Sequence, residues 1–181
     1  MERQLSVINP CPRRIPGPAL LHELVANGRQ DDTLVAIDHL AQDGTRETLT
    51  YGDLHGRSNA LALRLVEMLG TTSPASVHIP LFIQQCPELY IAQLATLKAG
   101  AAFVPIPIDA PEERLRFICR DVEATVVITT SQLQHRLPTL EHIAVLVVDD
   151  EYAGFEQQPP KLSIDFRSPA YVMYTLSLIH I

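Results

Sequence analysis

The chain has 181 residues, 46% hydrophobic and 19% charged, with a mean hydropathy of +0.09, an ordinary balance for a soluble globular domain. A formal net charge of −7 argues against a nucleic-acid partner, which needs a basic face to displace phosphate counterions, but leaves ATP open. No apolar run approaches the roughly 20 residues of a spanning helix, so no membrane role is expected. Near the start only Leu5 to Ile8 is apolar, too short for the core of a signal peptide. Cys11, Cys86 and Cys119 are widely spaced, with no CxxC pair, which favours a reducing, cytoplasmic setting.

Residues 1–17, rich in proline and arginine, read as a linker or loose terminus. A helix is expected over Ala19–Asn27, with Leu20, Leu21, Leu24 and Val25 on one face and Gly28 as its left-handed cap. Strands Leu34–Asp38 and Thr45–Thr50 follow, joined by a hairpin turn at Ala41–Gly44. Thr50 is placed to cap a long helix, with Asp53 completing a capping box and Leu54, Leu61, Leu65 and Met68 at helical spacing. Pro74 ends the loop behind that helix.

Val77–Ile83 reads as a buried strand, and Pro87 opens a helix over Glu88–Ala99 that Gly100 closes, with Ile91, Leu94 and Ala95 inward. Ala101–Ile106 is a second buried run, and Pro111 opens a helix over Glu112–Val122. Thr125–Thr129, Ile143–Val148 and Ala170–Thr175 are further strands, and Asp149–Pro169 is a surface loop. Alternating strands and helices predict an α/β fold with a mostly parallel sheet flanked by helices and a small N-terminal hairpin. Pro80 and Pro105 each remove a ladder donor, which pushes their strands toward an edge or an early end.

Several motifs, at consistent intervals between Leu20 and Thr175, carry a family resemblance. Leu21-His22-Glu23-Leu24 resembles an opening helix of nonribosomal peptide synthetase adenylation domains. Leu49 to Leu54 matches their "LTYxEL", and RSNALALRL the helix behind it. Leu97 to Pro105 matches "LKAGxAYVP", Pro111 to Leu115 matches "PxERL", and Ala170 to Thr175 matches "AYVIYT". The stretch GAAFVPIPIDAPEERLRFI points to the fungal branch. The resemblance implies that residues 18–175 are the N-terminal part of an AMP-binding domain of the adenylate-forming fold. It implies amino-acid adenylation with ATP and Mg²⁺, and transfer to the phosphopantetheine thiol of a carrier domain, with condensation and carrier domains as partners.

Family members continue from the last strand as "TSGSTGxPKG", whose glycines and lysine suit phosphate. Here Thr175 is followed by LSLIHI, without those residues, so residues 176–181 are expected to be a non-native tail and the chain to be inactive alone. Pro107 stands where the family often has aspartate. Of the residues present, Thr175, with Tyr174 supporting it, is the expected phosphate contact at the start of the truncated loop; no catalytic or metal residue is assigned. An acyl-CoA synthetase-type ligase and a non-enzymatic interaction module are the alternatives.

The other chemistry-bearing groups take ordinary readings. Histidines 22, 39, 55, 78, 135, 142 and 180 form no metal spacing, and Asp149-Asp150-Glu151 reads as a solvated loop start rather than an Mg²⁺ site. Ser131 and Ser177 lack a nucleophile elbow, and no GxGxxG follows a strand. Cys86 is an ordinary helix-opening position. Lys98 reads as a cation at its helix's negative end, and Arg114 as a residue that pairs locally or lies on the helix surface.

Overall fold

The computed structural model describes residues 20–28, 31–41, 43–70, 77–149, 156 and 158–175. The expected linker 1–17, Pro74, Asp150, Glu151 and the tail 176–181 lie outside the described residues. A short helix α1 (Leu21–Gly28) precedes the antiparallel hairpin of β1 (Val35–Leu40) and β2 (Arg46–Thr50). Gly44, with φ at 86°, turns the hairpin, and its N–H donates to the Ala41 carbonyl at 3.0 Å. Helix α1 includes Gly28 instead of stopping before it. Its apolar stripe stays largely in solvent, with Leu21 48% and Leu24 46% exposed.

Helix α2 (Tyr51–Leu69) begins on the expected capping box. Asp53 N–H donates to Thr50 Oγ1 and Thr50 N–H donates to Asp53 Oδ2, both at 3.1 Å. Leu54, Leu61 and Leu65 are buried, with Met68 packed beside them. Beyond it come β3 (His78–Phe82), α3 (Pro87–Lys98), β4 (Ala102–Pro105), α4 (Glu112–Asp121), β5 (Val126–Thr129), a one-turn α5 (Ser131–Gln134) and β6 (Ala144–Val147). These strands form one parallel sheet in the order β4-β3-β5-β6.

Strand alternation sorts the core onto two faces. Ile79, Leu81, Val126, Ile128 and Leu146 meet α2 and α3 on one side. Phe82, Val104 and Ile106 meet Leu115, Ile118 and Cys119 of α4 on the other. The central strand β5 is buried at all four positions, as a strand covered on both faces should be.

The two strand prolines behave differently. Pro80 does not send its strand to an edge, because β3 lies between β4 and β5. The Val77 and Leu81 carbonyls accept from Ala102 of β4 and from Ile106 just past its end, so by alternation the missing Pro80 N–H faces β5. There the ladder starts one residue later, at Leu81 opposite Ile128, and no donor is needed. Pro105 ends β4, which is the outermost of the named strands on its side.

The strand expected at Ala170–Thr175 is reduced to one parallel bridge, Tyr171 opposite Phe103. Phe103 N–H donates to Ala170 O at 3.2 Å, and Val172 N–H donates to Phe103 O at 3.0 Å. The next bond of such a ladder would run from the N–H of residue 105 to the Val172 carbonyl. Pro105 has no N–H, so the ladder stops there.

Candidate functional site

The last described segment is where the sequence places its phosphate contacts. It lies parallel beside β4, so its C-terminal end comes out at the carboxyl edge of the sheet, where open α/β sheets bind ligands. Thr175 is exposed there and Tyr174 is half-buried. The two neighbours in sequence point to different surroundings. Val172 and Tyr174 pack on the α4 face of the core, whereas Tyr171 stacks on Phe103 with centroids 5.7 Å apart.

Tyr174 is held by three side chains of α4. Its hydroxyl donates to the Asp121 carboxylate. The Arg114 guanidinium lies 5.4 Å from its ring centroid, and the Phe117 ring meets it edge-on at 6.3 Å. Burial, then the hydrogen bond and charge of Asp121, push the Tyr174 phenol up to about 12, with Arg114 opposing. Arg114 therefore does more than the local pairing or surface position expected of it. Phe117 and Asp121 carry no motif of their own that would mark them.

Lys98 also departs from its expected role. It does sit in the last turn of α3, but its stem carries the ammonium into a buried site between α3 and α2. There Nζ donates to Asn59 Oδ1 at 2.6 Å, Ser58 Oγ at 2.7 Å and the His55 carbonyl at 3.3 Å. Asn59 Nδ2 donates in turn to the Glu156 carbonyl at 2.9 Å, and Glu156 N–H donates to Gly56 O at 3.1 Å. The cluster thus ties the two helices and the segment at 156 together. His22 is held below its usual pKa, mainly by burial and also by Lys98, with Glu23 opposing.

Asp149 accepts from Ser131 N–H at 2.8 Å and from Ser131 Oγ at 2.6 Å, so it caps α5 from the end of β6. Gln84 Nε2 donates to Gln132 Oε1 at 2.8 Å across the carboxyl ends of β3 and β5. Beside that pair a hollow of about 770 Å³ opens toward His39 and Asp43 of the hairpin. Among the described residues no three His, Cys, Asp or Glu side chains group together. Burial raises Cys86 to about 12, helped by Glu88, and raises Cys119 to about 11.

A doubly covered parallel sheet with this motif series defines an adenylate-forming fold. The AMP-binding enzyme family model matches residues 23–175, and the chain belongs to that family. Within it the chain is similar to fungal nonribosomal peptide synthetases. It is 43% identical over 177 residues to nonribosomal peptide synthetase SIDC of Beauveria bassiana, covering 94% of this chain and 4% of that protein. It is 40% identical over 179 residues to nonribosomal peptide synthetase 2 of Cochliobolus heterostrophus, covering 97% of this chain and 3% of that protein. The crystal structure of the nonribosomal peptide synthetase FmoA3 in its AMPPNP-bound form superposes with a TM-score of 0.77 and 26% identity, covering 90% of this chain and 17% of that one. The chain therefore spans 3–4% of the length of these curated relatives.

Proposed function

We propose that residues 18–175 are the opening part of an amino-acid-activating adenylation domain, with residues 1–17 and 176–181 outside it. In the complete domain an amino-acid carboxylate attacks the α-phosphorus of ATP, giving an aminoacyl adenylate and releasing pyrophosphate. The acyl group then passes to the phosphopantetheine thiol of a carrier domain, and AMP leaves. Condensation and carrier domains of the same synthetase are the partners, and the setting is cytoplasmic. The free thiols of Cys86 and Cys119 fit that setting, and no helix among the described residues is long and apolar enough to cross a membrane.

The observation that carries this reading is the match over residues 23–175 to AMP-binding enzymes, together with relatives that are nonribosomal peptide synthetases. The chain's own share of the chemistry is positioning. Thr175, exposed at the carboxyl edge of the sheet, offers a hydroxyl and an N–H to phosphate oxygens, and Tyr174 supports it from behind. Amino-acid-dependent exchange of pyrophosphate into ATP by the complete protein tests the reading. Formation of a CoA thioester from a simple carboxylic acid, with no exchange on any amino acid, would replace it with the acyl-CoA ligase alternative.

A further inference from the structure

The segment ending at Thr175 has little backbone support. Its ladder with β4 consists of the two bonds on Phe103 and stops at Pro105. Beyond Val172, position is left to side chains. Alternation turns Val172 and Tyr174 toward α4, and Tyr174 is the last described residue on that face.

Besides packing on that core, Tyr174 meets a stripe of α4. Arg114, Phe117 and Asp121 lie at helical spacing along one side of it. The Arg114 guanidinium covers the Tyr174 ring at 5.4 Å and the Phe117 ring at 5.5 Å, while Phe117 meets Tyr174 edge-on. Asp121 accepts the phenolic proton. Phe117 is 51% exposed, Asp121 is exposed and Arg114 is half-buried, so none of the three belongs to the buried core. A stripe that contributes little burial and grips one ring has a more local effect.

We infer that Arg114, Phe117 and Asp121 are positioning residues for ATP: they clamp Tyr174 onto α4 and thereby fix where Thr175 meets phosphate. The inference rests on the proposed function for its ATP half, whereas the clamp itself stands on the geometry of α4. None of the three touches the nucleotide. They act through the one ring that precedes the contact residue, at the point where the backbone ladder has ended.

The test uses the complete protein with Asp121→Ala, Arg114→Ala and Asp121→Asn. Hydrogen–deuterium exchange of the 170–175 peptide reads the clamp directly, and steady-state pyrophosphate exchange reads its consequence. Asp121→Ala and Arg114→Ala are expected to speed deuterium uptake over Val172–Thr175. They should also raise KM for ATP about tenfold or more, since small misplacements of a contact cost that much. KM for the amino acid and the melting temperature should stay near wild type. Asp121→Asn keeps an oxygen acceptor for the phenol and should restore both readouts.

Unchanged uptake in both alanine variants would overturn the clamp, whatever the enzyme does. Faster uptake with an unaltered KM for ATP would overturn the positioning role. A wild-type protein that shows no amino-acid-dependent exchange would sink the proposed function and the ATP half with it. Uptake would then still decide whether α4 holds Tyr174.

Discussion

Replacing Pro105 by valine should extend the ladder that now stops at Val172. The substitution supplies an N–H on the outward side of β4, opposite the Val172 carbonyl. One added backbone hydrogen bond contributes about 0.5–1.5 kcal/mol net, which corresponds to a slowing of local opening by roughly two- to tenfold. Valine also suits a strand better than proline does. Against this, loss of the ring frees the unfolded chain and costs about 0.4–1 kcal/mol. Global stability should therefore change by less than about 1 kcal/mol, while local protection rises. The assay is amide exchange by NMR, comparing the Val172 amide in both proteins and measuring the amide gained at position 105 against its free-peptide rate. If that new amide exchanges as in a free peptide, with Val172 unaltered, the missing donor is not what ends the ladder.

Lys98→Ala removes a buried stem and strands Asn59 Oδ1, so urea unfolding should show a loss of about 2–4 kcal/mol. Lys98→Met keeps most of the stem and should cost less. Thr50→Ala should cost about 1 kcal/mol through the lost cap. The Thr50 hydroxyl, then its N–H, hold the Asp53 carboxyl below its ordinary value, so that stabilisation exists above the usual aspartate range and is lost as pH falls through the lowered one. The gap between wild type and Thr50→Ala should accordingly narrow only in strong acid, as followed by thermal melts across pH. Cys86 and Cys119, raised to about 12 and about 11 and buried, should resist a thiol reagent at pH 8 until denaturant is added; prompt labelling of either would refute the burial.

What could be read in the residues was mostly local. Thr50 and Asp53 mark a helix start because the cap is made within four residues, and Pro87 and Gly100 bound α3 by the same short-range logic. Alternation and spacing gave the order of strands and helices, and the motif series gave the family. The misses are long-range. Lys98 meets Ser58 and Asn59 only because α2 and α3 pack side by side, which no spacing in the chain reveals. Pro80 is tolerated in an inner strand because its empty side faces a ladder that begins one residue later. Tyr171 bridges while Met173, next in that register, does not, for the opposite reason: Pro105 faces the side where a donor is needed. The one-turn α5 depends on a cap from Asp149, far along the chain from Ser131.

The candidate site follows the same division. Thr175 is a candidate only through the motif that ends on it, while the α4 stripe that grips Tyr174 belongs to a different motif and becomes visible only when the two segments are brought together. Sequence similarity identifies the family, whereas the contacts of Tyr174 come from the packing of α4 against the last segment.

Purified complete protein, incubated with ATP, radiolabelled pyrophosphate and single amino acids in turn, decides whether this chain opens an amino-acid-activating domain. Label should enter ATP with one or a few amino acids and not in their absence. Label that never enters ATP with any amino acid, or that enters equally without one, would contradict the assignment.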